Sequence, residues 1–210
     1  RLSNPVNDAT AELLKHQLGF EVILTTNTNR LQLLKSVQTF LQKIKKNSIA
    51  LFFYSGHGIE AAGKNNLLPI DNKNIRTQED IPIEAVSAND ILKQMEATAS
   101  KLNIMILDAC RDNPLPSTSR SSTRGVSRID GSRGSIIAYA TKAVQTAQDG
   151  ITNHSLFTDA LLANLLKPDY SVPEILNSVS LDVIKATNGA QTPWVSTSPV
   201  PRIFLVSESP

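Results

Sequence analysis

Cysteine is nearly absent: Cys110 is the single one in 210 residues. No disulfide can close within such a chain, and one thiol cannot build a thiolate metal site. Aromatic residues make up 5% and do not interleave with basic ones, so a base-stacking nucleic-acid platform is missing. Neither sign of charge dominates: 21 Lys and Arg against 19 Asp and Glu leave a net +2, too weak a field to draw nucleic acid. No run of about 18 apolar residues occurs, so no segment reads as a membrane span. Neither G-x-G-x-x-G nor G-x-x-x-x-G-K-[ST] occurs, which removes the signal a flavodoxin-like nucleotide-binding domain would carry. The chain starts at Arg1, which reads as a fragment or processed product, so the lack of a signal peptide says little about the parent.

What remains is an apolar content of 40% with dispersed charge, as in a soluble globular domain. A single domain over 1–210 buries roughly 70% of the surface its unfolded chain exposes, enough to fold without a staple. Helices and strands alternate. Pro5 to Leu18 has helical spacing of Ala11, Leu14 and Leu18, and Phe20 to Leu24 reads as a short strand. Leu31 to Ile44 is a second helix, with Asn29 as its cap. Ser48 to Tyr54 (SIALFFY) is a continuous apolar strand, the pattern of a strand covered on both faces. Asn66 to Ile70 is a short extended piece, and a helix from Ser87 to Ala97 follows. Leu102 to Leu107 and Ser135 to Tyr139 are further buried strands. Ser155 to Leu166 is a helix, and another opens at the Ser171 and Glu174 capping box and ends near Gly189. Arg202 to Val206 reads as a final strand. Such alternation predicts an α/β fold, with a mostly parallel sheet and helices on both faces.

Two polar motifs close the two most hydrophobic strands: Tyr54-Ser55-Gly56-His57-Gly58 and Asp108-Ala109-Cys110-Arg111-Asp112. Ligands of open α/β sheets bind at that edge. Adjacent parallel strands would set His57 beside Cys110, far apart in sequence though they are. A thiol with a pKa of about 8.5 is only a few per cent thiolate at neutral pH, and a neighbouring imidazole is its usual activator. Gly56 and Gly58 read as a tight turn, leaving the Gly58 and Cys110 amides to face a developing oxyanion. A lone cysteine after a strand is ordinarily a small core hydrophobe, and a lone histidine ordinarily a solvated or capping residue. His16 and His154 take that plainer reading. Paired at equivalent strand ends, His57 and Cys110 do not.

YSGHG followed by DACRD resembles the caspase-like cysteine peptidases, in particular their metacaspase, paracaspase and prokaryotic orthocaspase branches. Other stretches carry the likeness along the chain: Asn4 to Ala9, Leu67 to Asp71, Ala138 to Thr141, Asp149-Gly150, Ser155 to Thr158 and Gln191 to Trp194. The resemblance implies a caspase-like three-layer sandwich. It implies a large-subunit-like part over 1–113, an Arg- and Ser-rich linker over 114–134 and a small-subunit-like part over 135–210. It implies a cysteine endopeptidase with catalytic His57, Cys110 and Gly58. True caspases place Gln two positions before the nucleophile, where this chain has Asp108. In the other branches that acid helps line a pocket for Arg or Lys, and the matching positions here are Asp8, Asp108 and Asp149. The plainer readings are a helix-start charge for Asp8, a turn residue for Asp149 and a solvated strand end for Asp108. Within the linker, Arg120, Arg124, Arg128 and Arg133 are candidate self-cleavage sites.

The chain departs from the family pattern in three places. The family's first strand, central in its sheet, should precede Leu2 and is missing from 1–210, which predicts a gap in the sheet unless residues or a chain not shown here supply that strand. Lys142 to Gln148 lacks the Pro-Gly often found there. No acidic insertion matches the calcium site of many metacaspases, and Glu79, Asp80 and Glu84 are a weak substitute, so the expectation is no cofactor. Expected partners are protein or peptide substrates with Arg or Lys before the cut, without nucleic acid or membrane, and the protein itself is expected to be a cytoplasmic monomer. The competing reading is a catalytically silent caspase-like module that recruits partners.

Overall fold

The computed structural model describes residues 5–61, 63–110, 134–140 and 155–207, with 5–9 and Cys110 described by backbone alone. Helix α1 spans Pro5–His16, and α2 spans Arg30–Lys43. Asn29 caps α2 by accepting from Gln32 N–H, and the Gln32 side chain returns to the Asn29 amide, so two orphan donors of the first turn are satisfied. Strand β1 is Ile49–Ala61 and β2 is Lys64–Leu67. A short helix α3 (Ile81–Glu84) and β3 (Val86–Ser87) lead into α4 (Ala88–Glu96), which is capped by Ser87 as its sequence indicates. Strands β4 (Leu102–Cys110) and β5 (Ser135–Tyr139) precede α5 (Leu156–Asn164) and α6 (Val172–Ala186). Strand β6 is Trp194–Thr197.

The six strands form one sheet in the order β3-β2-β1-β4-β5-β6. Its centre, β1, β4 and β5, is parallel, while β2, β3 and β6 join antiparallel at the margins. Alternation along β4 divides the core. Ile104 and Ile106 point to the layer holding α5 and α6, with Leu13 of α1 packed against it. Met105 and Leu107 point to the opposite layer, built on Leu33 and Val37 of α2 and on Ile91, Leu92 and Met95 of α4. The molecule is thus a helix–sheet–helix sandwich.

Three expectations change. Arg202 to Val206 is not a strand; it contributes one isolated bridge, Phe204 to Ser171, and the strand beside β5 is β6. Pairing with β5 decides this, since among the described residues Trp194 to Thr197 takes its outer edge. YSGHG is not a turn: β1 runs through it, because β2 takes over as partner where β4 stops. Phe20 to Leu24 is extended without strand pairing. Between it and β1 lies a cavity of about 480 Å3.

Candidate active site

The backbone of β1 and β4 is in register over nine pairs ending Ser55 with Asp108, Gly56 with Ala109 and His57 with Cys110. His57 therefore sits opposite Cys110 on the neighbouring strand, at the carboxyl edge of the parallel core. It is also the point at which β1 changes partner, since Gly58 is the first residue paired with β2. The His57 side chain is exposed, on the row begun by Leu51 and Phe53.

Tyr54 holds this stretch from the other face. Its hydroxyl lies 2.8 Å from the His57 carbonyl and 3.0 Å from the Leu68 carbonyl, and can donate to either. Burial pushes the Tyr54 pKa well above its ordinary value. The ring crosses Gly56 so closely that a Cβ there would stand 2.8 Å from the hydroxyl. That contact, rather than a turn, accounts for glycine at Gly56. His57 accepts a ladder hydrogen bond from Leu68 N–H at 2.9 Å. The next pair, Gly58 and Leu67, is then a non-hydrogen-bonded one, so the Gly58 N–H turns away from β2, toward the β4 side.

Asp108 is 5% exposed, so it is not a solvated strand end. Its carboxylate accepts hydrogen bonds from the Ser155 hydroxyl and, at 2.7 Å, from the Thr158 hydroxyl. Ser155 is at the same time the cap of α5, accepting from Thr158 N–H at 3.0 Å. A carboxylate at a helix start meets the positive end of the helix dipole as well as two hydroxyls. Sequence reasoning assigned no role to Ser155 and Thr158; the signal was the S-x-x-T cap pattern itself. Gln191, fully buried, donates to the Ala140 carbonyl at 2.9 Å and so ties the stretch before β6 to the end of β5.

Of the other expected site residues, Asp8 lies on α1, described by backbone only. Asp149 and the four linker arginines, Arg120, Arg124, Arg128 and Arg133, fall outside the described residues. Asp80 accepts from the Arg76 and Thr77 amides, which hold its carboxyl below the usual range and occupy it as a local cap. Among the described residues no group of three or more His, Cys, Asp or Glu gathers as metal ligands, and no helix is long and apolar enough to cross a membrane.

A three-layer sandwich around one sheet of this order has the caspase fold. The solved structure of pro-sf-caspase-1 superposes with a TM-score of 0.63 at 15% identity, covering 98% of this chain and 82% of that one. The chain belongs to the caspase-domain peptidase family, whose model matches residues 1–205. Mucosa-associated lymphoid tissue lymphoma translocation protein 1 of Homo sapiens and its Mus musculus homolog are each 26% identical over 196 residues. Those matches take in 88% of this chain and 22% of either relative, so the chain spans about a fifth of their length.

Proposed function

We propose that this domain is a cysteine endopeptidase that cuts after Arg and, less well, after Lys. The observation that carries the reading is the pairing of His57 with Cys110 at the end of the parallel core. In the proposed step the Cys110 thiol gives its proton to His57 and its sulfur attacks the scissile carbonyl carbon. The Gly58 and Cys110 amides stabilise the oxyanion. Collapse breaks the C–N bond, His57 returns the proton to the departing amine, and water then hydrolyses the thioester. The exposure of His57 leaves room for a peptide, and the direction of the Gly58 N–H suits an oxyanion on the β4 side.

Asp108 supports the basic preference, joined in this reading by Asp8 and Asp149. An arginine held about 4 Å from one carboxylate gains on the order of 4 kcal/mol at an effective dielectric near 20, before desolvation. Arginine exceeds lysine because its planar guanidinium engages carboxylates bidentately. Residues 1–113 and 135–210 act as large and small parts around the linker, and the step calls for no cofactor.

The test is a fluorogenic peptide panel with Arg, Lys, Asp or Leu before the cut. Turnover should follow Arg, then Lys, and vanish in Cys110→Ala and His57→Ala, and iodoacetamide should inactivate the wild type. Asp108→Asn should depress kcat/KM for Arg substrates far more than Glu79→Gln at an exposed site. Normal turnover by Cys110→Ala, or cleavage after Asp and none after Arg, sinks the proposal.

A further inference from the structure

The peptide unit between His57 and Gly58 faces two neighbours at once. It is planar and trans, so its C=O and its N–H point in opposite directions. The C=O belongs to His57 and accepts from the Leu68 N–H at 2.9 Å, on the side of β2. The N–H belongs to Gly58 and so faces the β4 side, where the proposed attack builds an oxyanion. Whatever fixes the carbonyl therefore aims the N–H, because the unit turns as one rigid plate.

Tyr54 reaches this plate from three residues earlier on the same strand. Its ring packs, with Phe52, into the layer of α2 and α4, while Leu51 and Phe53 pack on the opposite face. The hydroxyl comes to 2.8 Å from the His57 carbonyl and 3.0 Å from the Leu68 carbonyl. Only glycine at 56 lets the ring pass, since a Cβ there would meet the hydroxyl oxygen at 2.8 Å and the carbon that bears it at 3.0 Å. Burial raises the Tyr54 pKa, so the hydroxyl keeps its proton and remains a donor at neutral pH. A hydrogen bond donated to a peptide carbonyl also polarises the unit and strengthens its N–H as a donor.

We propose that Tyr54 is a positioning residue for the oxyanion site: its hydroxyl, acting with the Leu68 N–H, sets the plane of the His57–Gly58 peptide and with it the aim of the Gly58 N–H. What that N–H meets rests on the peptidase reading; how the peptide is held does not. Tyr54 acts here through the backbone alone, and the proton exchange between His57 and Cys110 does not call on it.

The test compares wild type, Tyr54→Phe, which keeps the ring, and Ile175→Val, a stability control that trims a buried side chain in the other core layer. Three readouts separate the roles: kcat and KM on an Arg peptide, the rate of Cys110 alkylation by iodoacetamide, and the amide nitrogen resonance of Gly58. Alkylation at a saturated carbon needs the thiolate but develops no oxyanion. Removing a whole oxyanion donor lowers kcat on the order of 100- to 1000-fold, and misaiming one lowers it less. Tyr54→Phe should therefore lower kcat about tenfold, with KM and the alkylation rate held within about twofold. It should also move the Gly58 nitrogen resonance upfield, as expected when its peptide carbonyl loses a hydrogen bond. Ile175→Val should change none of these. An unchanged kcat, a rise in KM in its place, or an equal loss in Ile175→Val would overturn the assignment. So would a kcat and an alkylation rate that fall together, since the effect would then lie on the thiolate pair. If wild type shows no turnover, the resonance decides alone. A shift in Tyr54→Phe upholds the grip on the peptide and removes only the peptidase, and an unmoved resonance removes the grip.

Discussion

Tyr54 and Gly56 are two residues apart on β1, and one contact between them shapes the backbone on which His57 stands. The Tyr54 hydroxyl supplies a donor to carbonyls on β1 and just beyond β2, where β1 changes partner. Tyr54→Phe removes that donor and should cost about 1 kcal/mol in urea unfolding. Gly56→Ala should cost more, about 1–3 kcal/mol, because the new methyl meets the ring as well as the hydroxyl. The two should couple: Gly56→Ala costs less in the Tyr54→Phe background, where the 2.8 Å contact is gone. Strict additivity would show that the contact does not hold Gly56. Titration gives a second reading. Burial raises the folded Tyr54 pKa above the unfolded value of 10.0, so its stability contribution is whole below pH 10 and falls as pH rises beyond it. Wild type should therefore lose stability between pH 10 and 11 faster than Tyr54→Phe, and parallel curves would contradict the assignment.

At the scale of elements, Asp108 joins the end of β4 to the start of α5 through Ser155 and Thr158. Thr158→Val keeps the shape and removes the buried donor, leaving the carboxylate one partner fewer at a cost of about 1–3 kcal/mol. If Asp108 lines the substrate pocket, the same change should raise KM for Arg peptides several-fold while kcat moves little, and Thr158→Ser should restore KM. A stability loss with KM unchanged would make the link structural only. Local signals made many elements legible: Asn29, Ser87, Ser155 and the Ser171 box each mark a helix start that the structure confirms. Strands were harder, since pairing depends on partners far along the chain. Phe20 to Leu24 is extended but pairs with no strand among the described residues, Arg202 to Val206 lost the β5 edge to Trp194–Thr197, and β2 prolongs β1 past the glycines. Of the site, the strand-end motifs were legible because both sit beyond long apolar runs. The burial of Asp108 was not, because its partners lie on α5, far along the chain.

Across the whole molecule, β4 and β5 are parallel and adjacent, with Asn103 opposite Ser135 and Leu107 opposite Tyr139. The end of β4 and the start of β5 are therefore at opposite edges of the sheet, and residues 111–133 connect them. This connection, outside the described residues, carries Arg120, Arg124, Arg128 and Arg133 among small polar residues. A peptidase that reads arginine would meet its own substrate there, and exposed tips of such composition are preferred sites of nicking. The plainer account is a solvated insertion whose arginines serve solubility. The fold separates the two by what cleavage leaves behind. A cut between Arg120 and Arg133 breaks one covalent link but leaves β4 and β5 paired, and Ile104, Ile106, Ile136 and Ala138 packed in the layer shared with α5 and α6. Purified wild type should slowly give two bands on a denaturing gel that still run as one peak under native conditions. Mass spectrometry should place the new ends after one of the four arginines, and Cys110→Ala should stay whole. Ends elsewhere, or equal nicking of Cys110→Ala, would show that the linker is not a self-processing site.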